Sequence, residues 1–160
     1  MNYKAILFSC AIIFLTTTVG ACVENEQPDP NKELGKEQVR GLLVLGEFKH
    51  IPDSSQEVFT YLIRGTNFRQ YLRFKGPRED LLSFAVELLG EKPKEDFDFQ
   101  HIFPQQGDGS RKLLPNIGWW PTTSPEGGLG GRKYSAYGVI EVLVVQEGDE
   151  ATIWILVYEV

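Results

Sequence analysis

The chain has 160 residues, 42% hydrophobic and 24% charged, a composition that is typical of a globular protein and argues against wholesale disorder. Its 16 basic and 22 acidic side chains give a formal net charge of −6. This balance argues against general nucleic-acid binding, which needs a basic surface.

The first predicted element is an N-terminal secretory signal peptide over residues 1–21. Lys4 precedes an uncharged apolar run from residue 5 to 19, which is shorter than the about 20 apolar residues of a membrane-spanning helix. A positive start, an apolar middle and a small-residue exit are typical of a signal peptide. Its removal leaves 160 − 21 = 139 residues with 15 basic and 22 acidic side chains, a net charge of −7.

The exit from this run carries a more specific motif. Val19-Gly20-Ala21-Cys22 resembles the bacterial lipobox, in which an aliphatic residue and two small residues precede an obligatory cysteine. The resemblance implies cleavage between Ala21 and Cys22, a diacylglyceryl group on the Cys22 thiol, and acylation of the new amino terminus by a chain such as palmitate. Three alternatives are a free thiol after an ordinary signal peptide, an uncleaved membrane helix, and a buried core helix.

The lipobox resemblance also implies a location. A lipoprotein of this kind is anchored in the bacterial cell envelope and faces the periplasm or the exterior. Val23 after the cysteine favours the outer membrane where a cell has two membranes. Because Cys10 leaves with the signal peptide and Cys22 carries lipid, the mature chain has no thiol for a disulfide, a metal or catalysis.

Residues 22–40 form the predicted lipidated N-terminus and flexible tether, since the segment is polar and contains two prolines. Residues 41–160 form the predicted globular domain. Its first two strands, 57–64 and 68–75, alternate aromatic, β-branched and polar residues and are joined by Gly65-Thr66-Asn67, which is typical of a hairpin.

One face of the second run is apolar and the other is basic. We call the second face the basic stripe; it consists of Arg69, Tyr71, Arg73 and Lys75, and Arg64 is a candidate extension. A helix is predicted after it, with Pro77 near its start and its end at Gly90. The predicted buried side of this helix consists of Leu81, Leu82, Ala85, Leu88 and Leu89.

Residues 91–133 are predicted to be irregular, with a short strand possible only around residues 97–103, because prolines and glycines dominate the remainder. The runs 137–146 and 151–160 follow, and they predict a final hairpin with at least one central strand, since both are apolar on nearly both faces. The predicted fold is α+β: an antiparallel sheet of about four or five strands with one helix packed on one face.

A second resemblance covers residues 48–160 and is mostly one of hydrophobic spacing. The stretches "IPDSSQEV", "YLRFKGPREDLLSFA" and "WWP" resemble the pattern of small bacterial lipoproteins with an α+β domain. The resemblance implies the same fold, and it implies no activity.

Two motifs suggest a ligand-binding site, but neither has the full pattern that such a site requires. The glycine-rich "EGGLGGRKYS" is not a P-loop, because Arg132 precedes Lys133, Tyr134 takes the Ser/Thr place, and a strand rather than a helix follows. Asp96, Asp98 and His101 could ligate a divalent cation, but solvated loop charge is the favoured interpretation. No metal or cofactor is predicted.

Catalysis has no recognisable signature. The chain has no GxSxG elbow, and nothing singles out a carboxylate pair for glycoside hydrolysis. No catalytic residue is predicted. A cell-wall or glycan hydrolase that uses loop carboxylates is the alternative function.

Two candidate binding surfaces lead to the predicted function. The basic stripe could meet an anionic ligand, a lipid headgroup or an acidic partner, although an ordinary solvated strand face also explains it. Trp119 and Trp120 could stack on a sugar or anchor a partner, although core packing also explains them. The sequence therefore predicts a lipid-anchored envelope protein that binds a protein or glycan partner.

Overall fold

The structure is a computed structural model that describes residues 29–35, 37–38, 50–63, 68–99, 117–123, 125–136 and 138–160. The predicted signal peptide, Cys22, Arg64, the 65–67 turn and His101 lie outside these ranges. No helix in the described ranges has the length and apolar character needed to cross a membrane.

The described part contains five strands and one helix, in the order β1 Gln56–Ile63, β2 Arg69–Pro77, α1 Arg78–Leu89, β3 Leu129–Ser135, β4 Gly138–Glu147 and β5 Glu150–Tyr158. The strands form one sheet in the order β1-β2-β5-β4-β3, and every neighbouring pair is antiparallel. The prediction of a small α+β fold with an antiparallel sheet of about four or five strands is confirmed.

The C-terminal hairpin forms the middle of the sheet. β5 lies between β2 and β4, and both β4 and β5 are buried on both faces over most of their length. Glu147 pairs with Glu150, which leaves Gly148-Asp149 as a two-residue turn. Gly148 has a φ of 68°, and glycine adopts this backbone conformation without the steric cost that other residues incur.

The helix begins and ends close to the predicted residues. Pro77 is its N-cap and Gly90 its C-cap, with a left-handed φ of 77° at Gly90. Glu79 and Asp80 lie in the first turn, where negative charge interacts favourably with the helix dipole. The buried residues are Leu81, Phe84, Ala85, Leu88 and Leu89, so Phe84 takes the place that the sequence assigned to Leu82, which is only partly buried.

Side chains alternate between the two faces of the sheet along each strand, and the buried hydrophobic residues form two clusters. The first joins side chains of α1 to one set of strand residues, among them the fully buried Phe74, Ile140 and Ile153. The ring of Phe84 meets Phe74 edge-on at 5.8 Å. The second, which we call the loop-side cluster, joins the other set of strand residues to residues from the segment between α1 and β3; its buried members are Tyr71, Phe99, Ile117, Trp120, Leu143, Trp154 and Leu156.

The prediction of a largely irregular segment over residues 91–133 is wrong at the C-terminal end, because β3 begins at Leu129. Two glycines in this edge strand allow other parts of the chain to approach closely. A Cβ on Gly130 would lie 2.2 Å from the Phe99 ring, and one on Gly131 would lie 2.6 Å from Leu89 Cδ1. Lys94 also forms a reciprocal pair of backbone hydrogen bonds with Gly130, at 2.7 and 2.8 Å. Of the short strand predicted around residues 97–103, residues 97–99 do not form a strand, and residues 100–103 lie outside the described ranges.

Part of the predicted tether is attached to the sheet. The N–H of Leu34 donates to the carbonyl oxygen of Val58 at 2.8 Å, and the Leu34 side chain is 6% exposed within the same cluster as α1. Within the predicted tether of residues 22–40, the segment around Leu34 is therefore packed into the folded part of the chain.

Candidate functional site

The basic stripe lies on the loop-side face of the sheet, but its members have different surroundings. Arg73 Nη2 and Lys75 Nζ each lie 3.3 Å from a carboxylate oxygen of Glu57. Glu57 is located at a β-bulge near the start of β1 and has a φ of 47°. Tyr71 is only 2% exposed. The stripe thus contains three kinds of residue. Arg73 and Lys75 share the Glu57 carboxylate, Tyr71 is buried, and Arg69 lies beside Tyr71.

Burial and the neighbouring Arg69 have opposite effects on the pKa of the Tyr71 phenol. Burial raises the pKa of the Tyr71 phenol above its ordinary value, while the hydrogen bond and the charge of Arg69 act in the opposite direction. The net shift is upward, so Tyr71 is a neutral phenol at physiological pH. It acts there as a packing residue with a polar edge.

The two adjacent tryptophans have different environments. Trp120 is 6% exposed, and its ring meets Tyr71 edge-on at 4.9 Å, so it belongs to the loop-side cluster. Trp119 is only partly buried and stacks on Phe59, with ring centroids 5.7 Å apart. Trp120 therefore seals the core, as the core-packing alternative has it, and Trp119 packs against the same cluster while it remains partly exposed.

Phe59 connects Trp119 to the basic stripe. The guanidinium carbon of Arg73 lies 5.6 Å from the centroid of the Phe59 ring, a distance at which a cation is attracted to an aromatic face. We call Glu57, Phe59, Arg73, Lys75 and Trp119 the β1–β2 patch. It combines a partly exposed indole, a second aromatic ring and two cations at the β1 edge of the sheet.

The N-terminal segment borders this patch. The Trp119 indole N–H donates to the carbonyl oxygen of Pro30. The backbone N–H of Gly118 donates to Asn31 Oδ1 at 3.2 Å. The loop that carries Trp119 is therefore bonded directly to the part of the chain that leads back toward Cys22.

A second polar cluster lies under the loop-side face, and sequence reasoning missed it. Glu141 on β4 is fully buried. Its Oε1 accepts hydrogen bonds from Arg132 Nε at 2.6 Å and from the Tyr158 hydroxyl at 3.2 Å. Arg132 also lies over the ring of Phe97, at 5.4 Å. The available signal was a single charged residue in the apolar run 138–145.

The Glu141 cluster has the electrostatics of a structural ion pair. Burial, followed by the charge of Glu141, raises the pKa of Tyr158 to about 12, so the phenol keeps the proton that it donates. Burial acts to lower the pKa of Arg132, but the hydrogen bond and charge of Glu141 outweigh it and raise that pKa. Among the described residues, Glu141 Oε2 has no hydrogen-bond partner. The pair joins the edge strand β3 to β4.

Two of the three candidate cation ligands lie at the surface. Asp96 and Asp98 are both exposed, and His101 lies outside the described residues. Over the described ranges, no three His, Cys, Asp or Glu side chains are grouped closely enough to hold a metal ion.

The six residues predicted as a binding surface thus share one face of the sheet but not one environment. Arg73, Lys75 and Trp119 belong to the β1–β2 patch, while Tyr71 and Trp120 lie in the loop-side cluster and Arg69 adjoins Tyr71. Phe59 and Glu57, which complete the patch, were not predicted. No family model matches the chain, and the comparisons with curated proteins and with solved structures find no significant match.

Proposed function

We propose that the protein is a lipoprotein of the bacterial cell envelope, anchored through lipid on Cys22, and that its domain acts by binding rather than by catalysis. The anchor is supported by the Val19–Cys22 motif and the apolar run before it. In this proposal α1 covers one face of the sheet, an arrangement supported by the cluster that α1 shares with the strands. Binding then uses the β1–β2 patch on the other face.

The observation that carries the proposal is the setting of Trp119. Its ring is partly exposed, stacks on Phe59, and lies at the edge of a sheet whose central strands are buried over most of their length. Tryptophan and arginine are enriched among the residues that dominate binding energies. An indole held by a rigid support loses little conformational entropy when a partner arrives.

The class of partner follows from charge and location. The net charge of −7 for residues 22–160 disfavours nucleic acid. An envelope protein or glycan could meet both the aromatic rings and the two cations of the patch. In this proposal the tether holds the domain at a membrane, and the β1–β2 patch is the small aromatic and cationic surface that the domain presents to its partner.

Crosslinking in living cells, followed by identification of what the protein captures, tests this proposal. We expect specific capture by the intact protein, and loss of that capture in Trp119→Ala and in Cys22→Ser. Tyr134→Ala is the matched control, because Tyr134 is an aromatic residue with 72% exposure on β3, the opposite edge of the sheet. Capture that persists in Trp119→Ala and in Arg73→Glu, with the fold intact, would contradict binding through this patch.

The competing hypothesis is the cell-wall or glycan hydrolase. It predicts turnover with a pH profile that one carboxylate substitution abolishes. The binding proposal instead predicts that substitutions of Asp96 and Asp98, both exposed, leave partner capture unchanged.

A further inference from the structure

We infer that the β1–β2 patch faces the membrane and that it contacts the headgroup layer of an anionic bilayer. This inference rests on the proposed lipid anchor at Cys22, and it takes the bilayer surface, in place of an envelope protein or glycan, as the partner of the patch. Three features of the chain carry it: the length of the tether, the distribution of charge, and the effect of tethering on a weak contact.

The tether is short because the N-terminal segment is attached to the patch. Its first described contact is the hydrogen bond between Trp119 and Pro30, and Pro30 is eight residues from Cys22. Eight residues span at most about 28 Å when fully extended, and a flexible chain of that length averages about 16 Å. Whatever conformation residues 22–29 adopt, the hydrogen bond to Pro30 keeps Trp119 within a few tens of ångströms of the lipid anchor.

The charge at the loop-side positions of β1 and β2 is opposite in sign to that of the whole protein, although the tether on the same side carries Glu24, Glu26 and Asp29. The loop-side positions of β1 and β2 include three cations, Arg69, Arg73 and Lys75, and one anion, Glu57, a local sum of +2. Residues 22–160 together carry −7. An anionic surface attracts basic residues that lie within a Debye length of it and repels the remainder of this domain. The orientation with the patch toward the lipid is therefore favoured.

The aromatic residues of the patch suit the same environment. Trp119 has an apolar ring with one polar N–H, and tryptophan is enriched where membrane meets water. A contact through only a few side chains would be weak between a bilayer and a domain that is free in solution. Tethering raises the effective concentration of the partner surface to the millimolar range, so a weak attraction is sufficient to orient the domain.

Chemical footprinting on vesicles tests this orientation. The chain from residue 22 to 160, which contains every described residue, is coupled through the Cys22 thiol to a maleimide lipid in phosphatidylcholine vesicles, with or without phosphatidylglycerol. We expect oxidation of Trp119 and acetylation of Lys75 to fall by about threefold or more on the anionic vesicles alone. Tyr134 and Lys94 should be unaffected, because both lie at the opposite edge of the sheet and are 72% and 65% exposed.

A charge reversal checks the cause of the protection. Lys75→Glu should restore the reactivity of Trp119 on anionic vesicles, whereas Lys94→Glu should leave the protection in place. Equal reactivity on both kinds of vesicle, or protection of Tyr134 and Lys94 instead of the patch, would overturn the inference.

The chemical coupling separates this test from the proposed function. Because the maleimide lipid replaces cellular lipidation, a negative footprint does not depend on whether the cell modifies Cys22. If vesicles give no protection while cells still show capture that depends on Trp119, the patch binds a protein or glycan and the inference fails alone. If protection is found without cellular capture, the partner-binding function fails and the membrane contact stands.

Discussion

Replacing Trp120 with alanine should lower the free energy of unfolding by about 4 kcal/mol, in the range for removing a large aromatic side chain from a packed core. Trp120 is 6% exposed and meets the ring of Tyr71, so its removal leaves a cavity in the loop-side cluster. Urea denaturation of the two proteins measures the difference, provided that the denaturant slope is unchanged.

The adjacent tryptophan is the matched control for this substitution. Trp119→Ala removes a side chain of the same size from a partly buried position, and we expect a loss of about 2 kcal/mol or less, since less apolar surface returns to water. Equal losses for the two variants, or a loss below about 1 kcal/mol for Trp120→Ala, would show that the loop-side cluster is not a packed core.

Replacing Arg132 with methionine should destabilise the protein by about 3 kcal/mol. The substitution leaves Glu141 buried and without its main partner, and the loss of one member of a buried ion pair is strongly destabilising. Breaking a buried ion pair costs roughly 3–5 kcal/mol. We expect a loss at the lower end of this range because Arg132 is 24% exposed, so solvent screens part of its attraction to Glu141. Thermal or urea unfolding at neutral pH gives the value.

The double variant Arg132→Met with Glu141→Leu separates an uncompensated charge from lost packing. Because it removes both charges and fills the space with apolar side chains, we expect it to recover most of the stability lost in Arg132→Met. A double variant as unstable as Arg132→Met would contradict this account, because the lost packing of Arg132 on Phe97 would then be the main effect.

The parts of the fold that could be predicted depend on local patterns. Helix α1 has a proline at its start, acidic residues in its first turn and a left-handed glycine at its end, and these features act within a few residues of each other. The hairpin of β4 and β5 follows from two long apolar runs around a short turn. Within α1, the predicted buried face differs from the structure at one position, since Phe84 rather than Leu82 is buried.

The parts that could not be predicted depend on contacts between distant residues. The glycines of β3 have poor strand propensity, and their presence is explained by Phe99 and Leu89, which approach them from other segments. Glu141 interrupts an apolar run, and its partners Arg132 and Tyr158 lie on the two neighbouring strands. Phe59 joins the patch because Trp119, 60 residues later in the chain, stacks on it.

These long-range contacts also change the account of the tether. A polar segment with two prolines predicts a flexible linker, yet Leu34 is buried with α1 and Pro30 accepts a hydrogen bond from Trp119. In the proposed function, the anchor and the binding surface are therefore separated by only a few residues. The lipid would then determine both where the protein is and which side of it meets the membrane.

Mass spectrometry of the N-terminal peptide, from protein extracted from bacterial membranes, tests the lipid anchor most directly. We predict a peptide that begins at Cys22 and carries the added mass of a diacylglyceryl group, and no such peptide from a Cys22→Ser variant. A peptide that retains residues 1–21, or one that begins at Cys22 with a free thiol, would contradict the central claim that this protein is a lipid-anchored component of the envelope.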